Sequence, residues 1–182
     1  MSLFKKSTMT QQKLDITPGV TLDALLKAYP ELEEVLIGIA PPFKKLKNPI
    51  LRRTIGKVAT IKQIAAVGGV SLDELISRLR KAVGQPEIDE SFEDQNYYGE
   101  QPGWFSQDKV VRSINEAKLE DKDKMALTII LKEAKTVQKG EIIELITSFL
   151  PAPGIDVLKS KGYSVWTRKE NDTVIKSYFL KN

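Results

Sequence analysis

Two stretches of this 182-residue chain hold residues whose types and spacing could do chemistry. From Val35 to Leu72 there is no acidic residue, yet Lys44, Lys45, Lys47, Arg52, Arg53, Lys57 and Lys62 lie within it. If these cations share a face, they form a field suited to an anionic partner. The bland alternative is a solvated helical surface, the usual meaning of a charge run. The second stretch is Thr147-Ser148-Phe149-Leu150-Pro151-Ala152-Pro153-Gly154, where a predicted strand gives way to a predicted helix. Free backbone amides and the hydroxyls of Thr147 and Ser148 suit a small anion there. A proline-stiffened turn that merely fixes the start of the helix accounts for the same residues.

Missing residue types bound the chemistry further. The chain has no Cys, which removes disulfides, thiolate nucleophiles, persulfide carriage and thiolate metal ligation. It has no His, the commonest general acid/base and metal ligand. The sequence contains no calcium-binding D-x-D-x-D-G loop, no phosphate-binding G-x-x-x-x-G-K-[ST] loop and no G-x-S-x-G elbow. Glu144, Asp156 and Asp123 are candidate carboxylate bases, but the sequence supplies no partner for any of them. No catalytic residue, metal site or cofactor is therefore expected. The reading is non-catalytic recognition of a protein or a small anionic ligand.

The charge profile divides the chain. Residues 1–83 carry a net +7, residues 84–103 a net −6 with no base at all, and residues 104–182 a net +3. This profile predicts a helical domain over 14–84, an acidic linker over 85–103 and an α/β domain over 104–182, after a disordered lead-in over 1–13. The linker's charge predicts that it folds back over the basic stretch. Its three aromatics, Phe92, Tyr97 and Tyr98, are more than a solvated linker needs and predict contact with a domain surface. No apolar run reaches the roughly 20 residues of a membrane span, and the polar N-terminus lacks a signal-peptide core. A cytoplasmic protein is the expectation.

Elements follow from caps and periodicity. Thr21 caps a helix bearing Leu22, Leu25 and Leu26, and Pro30 separates it from a second that Pro41-Pro42 stops. Asn48-Pro49 predicts a short helix from Ile50 to about Lys57, and Thr60 opens another that Gly68-Gly69 ends. Ser71 and Glu74 form a predicted capping box for Leu72 to Val83. The result is an all-α bundle of five short helices. Beyond Trp104 the pattern reads β-α-β-α-β-β. Val110 to Asn115 forms the first strand, Ile142 to Ile146 a central strand, and a C-terminal hairpin turns around Glu170 to Asp172. The fold class is α+β, with a two-layer sandwich at the C-terminus. Trp104, Phe105, Trp166 and Tyr178 are expected to be core or edge-covering residues. An uncovered edge strand, the C-terminal one in this reading, offers a route to homo-oligomers.

Thr60 to Ala82 also has the spacing of a helix-turn-helix, with Asp73 and Glu74 where such motifs meet the major groove. DNA binding is thus the alternative reading, disfavoured because carboxylates repel phosphates. A plain helical corner explains the segment without DNA.

Two resemblances add to this. Ile16-Thr17-Pro18, Tyr29-Pro30-Glu31-Leu32, Asn48-Pro49-Ile50-Leu51-Arg52, Ala59-Thr60-Ile61 and Gly68-Gly69-Val70 make the segment 16–84 resemble domain of unknown function 1858. Related helical domains in redox and iron–sulfur repair proteins keep a cysteine pair where this chain has Gly38-Ile39-Ala40-Pro41-Pro42. Lys139 to Ile143, Thr147 to Pro153 and Lys161 to Trp166 make the segment from Val110 onward similar to domain of unknown function 2249, a relative of the TusA/SirA sulfur-carrier fold. Sulfur carriers place a Cys-Pro-x-Pro motif where this chain has Asp121 to Met125. The resemblance implies the fold without sulfur transfer, or, as a second alternative, a sulfur-metabolism enzyme that has lost its thiol.

Overall fold

The computed structural model describes residues 14–49, 52, 56–119 and 126–182. In the helical module, α1 (Leu22–Ala28) and α2 (Leu32–Ile39) lead into a 3-10 helix (Pro41–Lys47), followed by α3 (Ile61–Gly68) and α4 (Leu72–Ala82). Thr21 caps α1 through the Ala24 amide. Thr60 and Gln63 cap α3 reciprocally. An isolated bridge between Thr21 and Thr60 joins the two helix starts. The predicted helix from Ile50 to Lys57 lies largely outside the described residues. Within it, the Arg52 amide donates to the Asn48 carbonyl and the Gly56 amide to the Arg52 carbonyl, both at helical spacing.

Leu25, Leu32, Leu36, Ile61, Leu75 and Leu79 are fully buried in one core. Burying each contributes about 1.5–3 kcal/mol relative to exposure. The module's two ends are tied by Arg80, which is buried. Its guanidinium donates to the Asp15 carboxylate (2.7 Å), the Ile16 carbonyl (2.9 Å) and the Pro86 carbonyl (2.6 Å). Gly69 turns the chain from α3 to α4 at φ 65°, a left-handed conformation that a Cβ would strain.

The capping box predicted at Ser71 does not form. Ser71 makes no side-chain cap, and the Leu72 amide donates instead to the Asp94 carboxylate at 2.7 Å. A charged acceptor brought in from 22 residues downstream outcompetes a local hydroxyl at a helix N-terminus. Glu74 faces outward and pairs with Arg78 (2.6 Å).

The second module runs β1 (Val110–Asn115), α5 (Ala126–Glu133), β2 (Ile142–Thr147), α6 (Ala152–Ser160), β3 (Tyr163–Asn171) and β4 (Val174–Lys181). This is the β-α-β-α-β-β order read from the sequence, and the whole chain is α+β. The sheet order is β1-β2-β4-β3, with β1 parallel to β2 and both other pairings antiparallel. Alternate residues of β2 serve different faces. Ile143 and Leu145 pack with Ile130, Ile155, Leu158 and Phe179 under the helices. Ile142 packs with Trp166, Tyr178, Trp104 and Phe105 on the other face. The four aromatics thus fill a core, as expected. Phe105 meets Tyr178 edge-on at 4.6 Å, and Trp166 stacks on Tyr178 at 5.1 Å.

α5 stops at Glu133, and Gly140 sits in the turn before β2, its amide bonded to the Lys181 carbonyl. One expectation changes here: the C-terminal strand is not an edge. β4 lies between β2 and β3, because the β2-α6-β3 crossover leaves a gap in the sheet that the last strand fills. The edges are β1 and β3. The Gly99 amide bonds the Thr167 carbonyl on β3, and a bulge and Arg112 interrupt β1. Both are devices that blunt an exposed edge.

The segment predicted as a linker is an ordered strap. Ser91 and the Phe92 amide bond to Asp73, Asp94 caps α4, and Tyr97 is buried. Gly99 then accepts from the Trp166 indole at 2.8 Å. The sequence expectation that its aromatics touch a domain surface holds for Phe92 and Tyr97. Its acids do not cover the basic stretch. Among the described residues, no carboxylate of the strap pairs with a lysine.

Candidate functional site: a lysine surface and a strap-lined cleft

The basic stretch separates into two kinds of cation. Lys44 and Lys47 stand exposed on the 3-10 helix and Lys57 in the turn before α3, while Lys62 is half-buried in the first turn of α3. None of these four enters an ion pair among the described residues. Arg52 is different. Its guanidinium donates to Glu33 at 2.5 Å, so an acid on α2 already neutralises it. The side chain of Lys45 and all of Arg53 lie outside the described residues. The cations without an ion pair among the described residues are therefore the exposed Lys44, Lys47 and Lys57 and the half-buried Lys62.

The 147–154 turn is built differently from the anion site read from the sequence. The Ser148 amide and hydroxyl both donate to the Glu116 carboxylate, at 3.3 and 3.0 Å. Thr147 is buried and its hydroxyl donates to the Phe149 carbonyl at 2.7 Å. The donors already hold an anion, and it is the chain's own. The α6 N-terminus is closed as well. Ala152, Pro153 and Gly154 are buried, and a Cβ on Gly154 would stand 2.9 Å from Leu127 on α5. Thr147 and Ser148 thus secure a turn, since the strand β1 places Glu116 opposite them.

Two of the three candidate carboxylates acquire the partners that the sequence could not supply. Glu144, on β2, is almost fully buried and accepts from the Ser113 hydroxyl (2.6 Å) and the Tyr178 hydroxyl (3.1 Å). Both donors come from neighbouring strands. Burial, followed by the Glu144 charge and hydrogen bond, pushes the Tyr178 phenol up to about 12. Asp156, on α6, accepts from Gln63 (2.5 Å), Tyr97 (2.8 Å) and Gln95 (3.4 Å). Burial first, then the bond to Asp156 and its charge, raise the Tyr97 phenol above the ordinary tyrosine range. Gln63 simultaneously accepts from the Thr60 amide, so one side chain serves the α3 cap and the module contact. Asp123 lies outside the described residues. In both clusters the acid accepts and hydroxyls or amides donate. That pattern fastens strands and modules together, and neither carboxylate lines either of the two clefts along the strap.

The clefts lie along the strap. One, of about 260 Å³, has Ile76, Ile88 and Phe92 as its apolar floor and Asp73, Glu87, Asp89 and Glu90 around its wall. The other, of about 290 Å³, lies where Gly69, Val70 and Ser71 face Asp94 to Asn96. Sequence reasoning missed both, because residues 85–103 carry no helical or strand period. The signal available was the set of aromatics in an otherwise polar, acidic stretch. The helix-turn-helix-like segment does form two helices joined at Gly69. However, the strap bonds to the first turn of α4 at Leu72 and Asp73, the turn that would have to enter a groove.

The fold and site define a two-module α+β protein whose acidic strap binds both modules. Residues 16–76, from the segment before α1 through the first turn of α4, match the family model described as Domain of unknown function (DUF1858). No curated protein matches the chain, and no solved structure does. Among the described residues no helix is long and apolar enough to cross a membrane, and no group of three or more acids is placed to hold a metal ion.

Proposed function

We propose that this protein is a non-catalytic recognition module whose lysine surface engages an anionic partner, a protein face in preference to a small ligand. The observation that carries the reading is the set of unpaired, exposed lysines, Lys44, Lys47 and Lys57, in a stretch devoid of acids. Neutralising side chains lie close by in sequence, since Glu33 and Asp23 pair with Arg52 and Lys27. Among the described residues the three lysines nonetheless enter no ion pair. A partner protein suits three exposed ammonium groups that line neither described cleft better than a small ligand does, because small ligands favour enclosed pockets.

The test is titration of the full chain with a short poly-glutamate peptide, inorganic phosphate and duplex DNA at two ionic strengths. Poly-glutamate should bind, weaken as salt rises, and lose about tenfold in affinity when Lys44, Lys47 and Lys57 are all changed to Gln. Equal binding by the triple variant sinks the reading. Tight, steeply salt-dependent binding of duplex DNA would favour the helix-turn-helix alternative instead. The carboxylates Asp73 and Asp94 at the α4 N-terminus argue for the protein partner.

The C-terminal module supports a finer reading as a cysteine-free relative of the sulfur-carrier fold. The β-α-β-α-β-β order favours it, with two parallel-linked crossovers and a last strand inserted between the second and third. In that reading the module's work is structural support for the helical face. A sulfur-metabolism enzyme would need a thiol that this chain does not have.

A further inference from the structure

The positive stretch and the negative strap are adjacent in sequence, yet they do not neutralise one another. Lys44, Lys47 and Lys57 are exposed and unpaired, and so are Glu87, Asp89 and Glu90 on the wall of the strap-lined cleft. The strap is held away from the lysines by its own anchors. Asp73 fixes Ser91 and Phe92, Asp94 caps α4, and Arg80 takes the Pro86 carbonyl. Those bonds fix both ends of the 86–94 arc on α4, and among the described residues none of its acids pairs with a lysine. The complementarity written into one chain is thus left unsatisfied within that chain.

The cleft itself has the form of a receptor for basic side chains. Its floor is apolar, with Ile76 buried and Ile88 and Phe92 half-buried, which suits the methylene stem of a lysine. Its wall is acidic and its lining contains no base, which suits the ammonium head. Ile88 and Phe92 keep part of their surface in water, which a lysine stem would cover.

We propose that the occupant of this cleft is the lysine surface of a second copy of this chain. This rests on the reading of that surface as an anion-recognition face, and it names the partner. The contact is heterologous, head to tail, because the cleft lining and the lysine set share no residue. One copy's cleft takes the next copy's lysines, leaving a free cleft at one end and free lysines at the other. Rim charges of this kind set encounter rate and salt dependence more than affinity, so the association is weak and rises at low ionic strength.

The experiment uses three full-length proteins: the wild type, a cleft variant (Glu87→Gln, Asp89→Asn, Glu90→Gln) and a lysine variant (Lys44→Gln, Lys47→Gln, Lys57→Gln). All six positions are exposed, and thermal unfolding confirms that each protein folds. Sedimentation velocity at about 20 mM and about 300 mM salt reads self-association, which screening should weaken by tenfold or more. The wild type should associate at low salt, and each variant alone should remain monomeric. Mixed, the two variants should form a 1:1 dimer and nothing larger, since the pair retains one native cleft and one native lysine face. Restored association also shows that neither variant failed by misfolding. A wild type that stays monomeric at low salt overturns the proposal, as does a mixture that forms no dimer. If poly-glutamate still binds the wild type in either of those cases, the anion-recognition reading stands and only the self-partner falls. If it does not bind, both fall.

Discussion

The two modules treat charged side chains in opposite ways. In the helical module the lysines at 44, 47 and 57 project into water without partners, and one guanidinium, Arg80, is buried to stitch the ends together. In the sheet module the acids that looked like surface residues are drawn inward. Glu144 collects two hydroxyls, Glu116 an amide and a hydroxyl, and Asp156 three donors. The difference follows from geometry. Short helices joined by tight turns have a small interior, so long cations remain outside. A sheet covered on both faces brings strands 30 residues apart into register, and acids between them must be hydrogen-bonded or pay the cost of burial. Among the described residues, the acids with several hydrogen-bond donors therefore fasten strands and modules together.

The sharpest way to break that contrast is to remove a scaffold acid. Asp156→Ala leaves the Tyr97 hydroxyl and the Gln63 amide without their acceptor, and should cost about 2–3 kcal/mol in denaturant unfolding. Asp156→Asn keeps an acceptor and should cost clearly less. A loss no greater than that of a surface substitution would show that Asp156 is not a fastening.

The next effect is seen in alkali. The folded Tyr178 phenol sits at about 12 against an ordinary 10.0. Its folded value is raised, so the neutral form is favoured in the native state. That contribution is complete below about 10 and is lost as pH climbs toward about 12. Stability should fall through that window, and Tyr178→Phe should flatten part of the fall. Ultraviolet titration should show correspondingly late ionisation of the Tyr178 phenol, assigned by its loss in Tyr178→Phe and advanced by Glu144→Gln. An unchanged profile in both variants would separate Tyr178 from Glu144.

A smaller effect separates two helix caps. Asp94→Ala should cost about 1 kcal/mol, as loss of an N-cap does, while Ser71→Ala should be close to neutral. The reverse ranking would restore the local capping box. Smallest of all, Lys44→Gln, Lys47→Gln and Lys57→Gln together should change stability by less than about 0.5 kcal/mol. They should nevertheless abolish most acidic-peptide binding, as expected if these lysines recognise a partner and do not support the fold.

Much of this was legible from local patterns. Thr21 and Thr60 marked helix starts because a hydroxyl and its target amide lie within three residues. Val110 to Asn115 and Ile142 to Ile146 read as strands from their apolar, β-branched runs. The candidate site was legible only in part. Lys44, Lys47 and Lys57 are where the charge run places them, whereas Arg52 is neutralised by a residue 19 positions away. Thr147 and Ser148 looked like free donors because nothing in their own neighbourhood accepts from them. Their acceptors are the Phe149 carbonyl and a glutamate 32 residues earlier.

The sequence by itself determined the α+β class, the order of strands and helices after Trp104, and the absence of thiol and imidazole side chains. These depend on residue type and on spacing within one or two turns, which a linear reading can reach. Only the tertiary structure decided that the acidic stretch is a strap, that Asp94 takes the place of Ser71 as the α4 cap, and that β4 lies inside the sheet. It also decided which charges remain unpaired. Each of these depends on which distant group arrives first at an orphan amide, a sheet gap or a lone charge, and contact across tens of residues leaves no periodic trace in the chain.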